Sequence, residues 1–367
     1  MKVAVYCIAK NEAKHVQRWY ESSREADYHV IADTGSEDDT VKIARELGIK
    51  VIEVGVEPFR FDDARNASLA AIPLDADYCI ALDMDELMQP GWREQLEIAF
   101  AENIDRPQYR FITDWNPDDT PAVEFHGFRI HRRKGVRWIY PIHEVPTTYA
   151  GEDKRKLYPF EIHHRPDKSK SRGQYLPLLE QAAKENPDSR TLYYLGREYF
   201  YRGMYPNSAE VLRKYLELSI FKAERGYAMR MLAKCEPDQA EEWLIRSTEE
   251  YQSRESVLAL ANHYYTQGQW KECNAVAKIA AKITVKPTEF LSEGWAWTHM
   301  ADDLIAVSAW QLEDWKEAYK HGKKAVEITP SDERLVNNLK FYSEKIKTLS
   351  KEKRNGNTKR PHRRGAN

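Results

Sequence analysis

Tyr78-Cys79-Ile80-Ala81-Leu82-Asp83-Met84-Asp85-Glu86 places five apolar residues directly before a cluster of acids. A short apolar run that stops this abruptly reads as a buried parallel strand whose carboxyl end meets water. In an open parallel sheet, ligands bind beyond that end. Asp83 and Asp85, one residue apart, repel each other unless a cation joins them, and hard oxygen ligands favour Mg²⁺ or Mn²⁺ over zinc. Asp-x-Asp alone equally fits a solvated turn or a helix cap. The order of elements around it therefore decides the reading.

That order alternates. Upstream, Val3–Ala9 is a continuous apolar run, and 12–24 has helical composition. Residues 28–32 form a second strand ending in Asp33-Thr34-Gly35-Ser36. A helix capped by Asp39 or Thr40 runs to Leu47, with Gly48 at its C′ position. A third strand spans 49–54. A helix starting at Asp62 or Asp63 ends before Pro73. Downstream, Pro90-Gly91 opens a helix over 92–102. The pattern predicts parallel strands joined by right-handed crossovers. Over 106–165, Tyr109, Phe111, Trp115, Val123, Phe125, Phe128 and Ile130 have strand spacing broken by Pro and Gly, which predicts short antiparallel strands completing the same sheet.

From 171 to 349 the chain reads as helical, with repeats. Leu195-Gly196, Tyr199, Gly203, Tyr205, Ala209 and Tyr215 have tetratricopeptide-like spacing. Gly268, Trp270 and Ala275, then Trp315, Ala318, Ala325 and Pro330, restate its second half. Tyr205, Gln239 and Trp270 lie 34 and 31 residues apart, and Trp315 lies 45 further on, so one unit carries an insertion. Small residues let paired helices approach, and aromatics fill the grooves between pairs. Residues 351–367 hold seven Lys or Arg against Glu352 alone, with Gly, Pro and Asn. They predict a basic, unstructured tail, suited to a polyanion or merely to solubility. The expected domains are 1–170, 171–349 and 350–367.

The chain has 367 residues, 42% hydrophobic and 31% charged, with a net charge of −2. This excludes a mostly disordered chain and a polycationic protein. Cys7, Cys79, Cys235 and Cys273 form no C-x-x-C pair, which argues against a zinc module or disulfide framework and fits a reducing compartment. The N-terminus lacks a signal-peptide pattern and no uncharged run reaches the ~18 residues of a membrane span, so a cytoplasmic location is expected. There is no G-x-G-x-x-G and no P-loop. Asp33 at the tip of the second strand can accept from a nucleotide's base or ribose, or can simply close an Asx-turn. Arg65-Asn66 can contact phosphate or base, or form a surface salt bridge.

Ala9-Lys10-Asn11-Glu12, the stretch from Ile31-Ala32-Asp33-Thr34-Gly35-Ser36 through Thr40, Ala64-Arg65-Asn66, and Leu82-Asp83-Met84-Asp85-Glu86 together resemble, in order and spacing, a family 2 glycosyltransferase over roughly residues 1–165. Combined with the repeats, the chain resembles a subgroup that includes bacterial peptide S-glycosyltransferases. The resemblance implies an α/β GT-A fold with a Rossmann-like mixed sheet, followed by an all-α tetratricopeptide-like domain. It also implies a nucleotide-sugar donor, a UDP-sugar by that analogy, and inversion at the sugar carbon. By it, Asp33 holds the donor's base or ribose, Arg65 approaches the nucleotide, Asp83 contacts ribose or metal, and Asp85 ligates Mn²⁺ or Mg²⁺ on the diphosphate.

Many members of the family carry an acidic pair about a hundred residues after the donor motif. Here that region reads Trp138-Ile139-Tyr140-Pro141-Ile142-His143-Glu144. Glu144 by analogy with the usual carboxylate, or His143 by its unperturbed pKa, is the expected general base; a structural ion pair to a nearby arginine is the alternative for Glu144. Of His163-His164, His164 is the expected late metal ligand, against a packing role. Trp115, on a loop with Asp114, Asp118 and Asp119, can stack on a sugar. Residues 126–137 hold five Lys or Arg and no acid. They make nucleic acid, such as a modified DNA base, one candidate acceptor, and a peptide in the repeat groove another. A repeat scaffold with a degenerate transferase domain is the non-catalytic alternative, disfavoured by the joint presence of Asp33, Arg65, Asp83 and Asp85.

Overall fold

The computed structural model describes residues 1–116, 118–149, 153–166, 173, 175–288 and 291–357, with backbone alone for 352–357. The chain divides into two compact units, Met1–Glu198 and one beginning at Tyr199. The first opens with β1 (Val3–Ala9), α1 (Ala13–Ser22), β2 (Tyr28–Asp33), α2 (Thr40–Glu46), β3 (Lys50–Glu53), α3 (Phe61–Ala70), β4 (Tyr78–Ala81), β5 (Glu86–Met88) and α4 (Trp92–Ala101). It continues with β6 (Arg106–Trp115), β7 (Pro121–Gly127), β8 (Ile130–Arg132), β9 (Val136–Ile139), β10 (Val145–Thr148), β11 (Arg155–His164), α5 (Tyr175–Glu185) and α6 (Ser189–Tyr201), whose last turn enters the second unit.

The main sheet has the order β3-β2-β1-β4-β8, parallel except for β8. β1 is central and apolar throughout because helices cover both its faces. Val3, Val5 and Cys7 pack with Trp19, Ala44, Trp92 and Leu96 on one side, and Ala4 and Tyr6 with Leu69, Ile72 and Trp138 on the other. The polar tips of the buried aromatics are satisfied: Trp19 Nε1 donates to the Leu82 carbonyl at 2.8 Å, and Trp138 Nε1 to the Tyr6 hydroxyl at 2.7 Å.

Residues 106–165 depart from expectation. Only β8 joins the main sheet, where it covers the free edge of β4 and ends it. The rest form a β9–β10 ribbon and a second sheet, β5-β11-β6-β7, in which β6 and β11 run parallel. Tyr109, Phe111, Phe160 and Ile162 of that sheet pack into the same core as α1 and α4, so burial, not strand pairing, joins the two sheets.

In the second unit, α7 (Tyr205–Leu218), α8 (Lys222–Cys235), α9 (Ala240–Glu250), α10 (Arg254–Thr266), α11 (Trp270–Lys282), α12 (Met300–Gln311), α13 (Trp315–Ile328) and α14 (Glu333–Asn357) each pack on the next in sequence. Contacts from α8 to α10 and from α10 to α12 stack the pairs. The repeat starts read from sequence fall at the first turns of α7, α9, α11 and α13. The insertion is the stretch between α11 and α12, which holds a 3₁₀ turn at Gly294–Trp297. Ala275 is exposed, and Cys273, Asn274 and Ala277 take the inward positions instead. Gly322 of α13 is a close-approach site, since a Cβ there would lie 2.6 Å from the Tyr342 ring of α14.

The first compact unit runs on to Glu198 and so includes the start of the stretch that reads as helical from 171. The helical pair α5–α6 is tied to the sheet region by Arg60–Glu185 at 2.6 Å and by the Tyr140 hydroxyl donating to Asp188 at 2.6 Å. No helical periodicity reports such cross-chain partners. The tail expected to be unstructured from 350 is helical through Asn357 as the end of α14; 358–367 lie outside the described residues. Among the described residues, no helix is long and apolar enough to cross a membrane.

Tyr109 lies opposite Gly127 across the β6–β7 pair, and a Cβ on Gly127 would stand 2.2 Å from the Tyr109 ring. Gly127→Ala is expected to lower unfolding stability by about 1–3 kcal/mol through overpacking, read as a lower urea midpoint with unchanged slope.

Candidate active site

The carboxyl ends of β1, β2 and β4 lie side by side, so their following loops share one edge. Asp33, the last residue of β2, pairs with Ala9 and is 4% exposed. Its Oδ2 accepts from the amides of Gly35 at 3.1 Å and Ser36 at 3.0 Å, with Gly35 at φ 98° to allow the turn. Its Oδ1 is buried and has no hydrogen-bond partner among the described residues. The flanking loops lock together: the Asn11 amide donates to Ser36 Oγ at 2.9 Å, the Glu37 amide to Asn11 Oδ1 at 2.8 Å, and the Ala13 amide to Asp38 Oδ2 at 3.1 Å. Asp38 also accepts from the Thr40 amide, taking the capping role expected of Asp39 or Thr40.

Beyond β4 the charges are dense. Arg65, on the buried side of α3, donates from Nη2 to Asp83 Oδ1 at 2.7 Å and from Nε to Glu144 Oε1 at 2.6 Å, with the Trp138 ring 4.9 Å from its guanidinium carbon. Its Nη1 is buried and unpartnered among the described residues. Arg129 donates from Nη1 to Asp83 Oδ2 at 2.7 Å and pairs with Glu86 through Nη2. Glu86 in turn accepts from the Asp83 amide at 2.9 Å. Burial alone would raise the Asp83 carboxyl, but Arg65 and Arg129 outweigh it and hold it well below the usual carboxylate range. Burial pushes the Glu86 carboxyl up, against Arg129 and with help from Asp83 and Asp85. Both oxygens of Asp83 are thus occupied by arginines.

Asp85 points elsewhere. Its Oδ2 stands 3.2 Å from His164 Nε2 at the end of β11, and its carbonyl accepts from the Arg165 amide at 2.8 Å. Burial disfavours charge on His164, but the bond to Asp85 and the nearby Glu86 outweigh it, so the imidazole titrates above its ordinary value. No group of three or more His, Cys, Asp or Glu close enough to hold a metal occurs among the described residues; Asp85 and His164 are a pair of such side chains. His163 bonds Glu161 at 2.7 Å instead.

Glu144 is brought to this site by Arg65, and its side chain is 12% exposed. The His143 ring is stacked on Tyr194 at 3.9 Å. Asn66 is spent on the backbone of Trp138, donating to its carbonyl at 2.9 Å and accepting from its amide at 2.8 Å, so it is not placed for a phosphate or base. Trp115 donates from Nε1 to the His164 carbonyl at 3.0 Å and carries Arg165 3.6 Å over its ring, which covers the face a sugar would use. Asp119 pairs with Arg165, and Asp118 with the Thr120 amide. Most of the basic stretch turns inward: Arg129 joins Asp83, Arg132 lies over Tyr78 and Phe100, and Arg133 donates to the Ile72 carbonyl, leaving Lys134 and Arg137 exposed.

Arg129 and Glu86 are the site residues that the motifs left unassigned. Glu86 adjoins Asp83-Met84-Asp85 and was legible as a neighbour. Arg129 lies 46 residues from Asp83 and no local pattern links them.

Arg65→Met leaves Asp83 and Glu144 each short of a cation. The expected loss is about 3–5 kcal/mol of unfolding stability, against a much smaller loss for surface Arg45→Met, compared by urea denaturation. Because the folded-state Asp83 carboxyl titrates below its unfolded value, its contribution is complete above the usual range near pH 4 and is lost as pH falls below it. Asp83→Asn is therefore expected to flatten the acid limb of the stability curve.

Residues 5–140 match the Glycosyl transferase family 2 model. An uncharacterized glycosyltransferase of Rickettsia felis is 32% identical over 107 residues, 29% of this chain and 36% of that protein. A TPR repeat-containing protein of Synechococcus elongatus is 29% identical over 150 residues, 39% of this chain and 35% of that protein. The matched stretches thus span about a third of these relatives' length. Among solved structures, S. aureus TarS aligns at a TM-score of 0.38 and 11% identity, covering 75% of this chain and 55% of that one. Residues 5–140 are thus similar to family 2 glycosyltransferases, and stacked pairs of helices follow in the second unit.

Proposed function

We propose that the chain transfers a sugar from a nucleoside-diphosphate donor to an acceptor, with a divalent cation and inversion at the sugar carbon. The observation that supports this best is two buried, unpartnered polar atoms of opposite kind, Asp33 Oδ1 and Arg65 Nη1. An acceptor and a donor buried without partners are costly unless a ligand satisfies them. Asp33 Oδ1 suits a base N–H such as that of uracil, and Arg65 Nη1 suits a phosphate or ribose oxygen. Asp83 acts through Arg65 and Arg129 rather than on the metal.

Arg65 and Arg129 answer Asp83, Glu86 and Glu144, whereas Asp85 meets the His164 imidazole, so a cation beside Asp85 would offset its charge. Asp85 and His164 would hold it, and the imidazole favours Mn²⁺ over Mg²⁺. Bound there, the ion supplies charge stabilisation to the departing diphosphate. Glu144, whose second oxygen makes no hydrogen bond among the described residues, takes the acceptor's proton. As the acceptor bonds to the anomeric carbon, the bond to the diphosphate oxygen breaks and its electron pair leaves with the nucleotide. His143, packed on Tyr194, is the weaker choice of base. With Arg129, Arg132 and Arg133 turned inward, a peptide acceptor is favoured over DNA. Four free thiols fit a cytoplasmic setting.

Thermal unfolding with UDP and Mn²⁺ tests the reading. At a hundredfold excess over Kd the pair should stabilise the protein by about 2.7 kcal/mol. Asp85→Ala should remove the Mn²⁺-dependent part, and Asp33→Asn the nucleotide part. No shift with any nucleoside diphosphate and either Mn²⁺ or Mg²⁺ overturns the proposal. Mass spectrometry of products from UDP-sugars and peptide, DNA and glycan pools then identifies donor and acceptor.

A further inference from the structure

We infer that Arg190 of α6, with Tyr194 one turn on, is a positioning residue for Glu144, so that the helical pair α5–α6 is a working part of the transferase site. This rests on the reading of Glu144 as the general base.

The chain between β9 and β10 is held in an unusual shape. Tyr140 and His143 both have left-handed backbone, at φ 77° and 53°, and neither is glycine. Such a conformation persists only where the surroundings impose it. Glu144 follows directly, so the direction of its side chain depends on that turn.

What imposes the shape comes from α6. Arg190 Nη2 donates to the His143 carbonyl at 3.1 Å, and its guanidinium lies over the rings of Tyr140 and Tyr194. It meets no carboxylate among the described residues, and its Nε is buried without a partner. Tyr194 lies nearly parallel to the His143 ring, at 3.9 Å and 17°. Asp188 closes the clamp, accepting from the Thr191 amide at 2.8 Å, which caps α6, and from the Tyr140 hydroxyl at 2.6 Å. Both strained residues are thus gripped by one helix end. On the other side, Arg65 grips the Glu144 carboxylate. Fixed from both directions, Glu144 is left one adjustable feature, its uncommitted oxygen. A half-buried arginine laid against aromatic faces and spent on a backbone carbonyl, its Nε left without a partner, is an expensive way to pack a surface helix, and it makes sense where the carbonyl's position matters.

The test uses the full chain with Arg190→Met, Arg190→Lys and Tyr194→Leu. Donor binding is read by the UDP–Mn²⁺ thermal shift, and turnover by hydrolysis of the UDP-sugar on which the wild-type protein is most active. In Arg190→Met, the UDP–Mn²⁺ shift and donor KM should stay at wild-type values while kcat falls roughly 10- to 100-fold, as for a displaced catalytic group. Arg190→Lys, which can still donate to the carbonyl, should recover part of the loss, and Tyr194→Leu should lower kcat. A folded Arg190→Met with kcat within about twofold of wild type, or a raised KM with unchanged kcat, overturns the inference. If Arg190→Met does not fold, wild-type kcat in both other variants overturns it. A wild-type protein that neither binds UDP with Mn²⁺ nor turns over any UDP-sugar overturns the glycosyltransferase reading and this inference together, whereas an active wild type with unaffected variants overturns this inference alone.

Discussion

Arg65 joins three parts of the chain that are far apart in sequence. Carried on the buried face of α3, its guanidinium bonds Asp83 at the end of β4 and Glu144 at the start of β10, and Trp138 of β9 lies against it. A guanidinium this buried is tolerable only because both carboxylates reach it, and it in turn answers the charge of Glu144 and part of that of Asp83. The mutual requirement fixes where β9 and β10 lie relative to the main sheet, and it brings Glu144 to the edge where Asp33 and Asp83 end their strands. Arg129 repeats the device on the second oxygen of Asp83 and extends it to Glu86. The acidic tip of β4 is consequently divided: Asp83 faces arginines, while Asp85 faces His164.

That division gives the two aspartates different work. A carboxylate held by two arginines is a rigid anchor whose own charge is already answered. The other meets an imidazole instead of a guanidinium. The Asp-x-Asp spacing treats the two residues alike; their neighbours from α3, the residue before β8 and β11 distinguish them. The same holds for the adjoining histidines. Alternation along β11 points His163 to Glu161 and His164 to Asp85, so one-residue register along a strand separates a structural ion pair from a candidate ligand.

The extension of the first unit to Glu198 changes what α5 and α6 are for. Read along the chain, they begin a helical series and share its periodicity. Read in space, their polar and aromatic residues bind the 140–144 turn and Arg60, and the stacked series of helix pairs is the second unit's own. Amphipathic periodicity reports that a helix has a buried face and says nothing about which neighbour buries it.

Local pattern determined a great deal here. The unbroken apolar runs of β1 and β4, the glycine after α2, the acids at the strand ends and the aromatic spacing of the repeats set the fold class, the alternation of strands and helices and the location of Asp33, Asp83 and Asp85, because each is a property of residues adjacent in the chain or one repeat apart. Tertiary structure alone decided the rest. It divided 106–165 among the main sheet, a ribbon and a second sheet, spent Asn66, Arg129 and Trp115 on structural partners, tied Glu144 to Arg65, and placed most of α6 in the first unit. Each of these depends on a partner tens of residues away, chosen by burial and charge balance, and such choices leave no periodic trace in sequence.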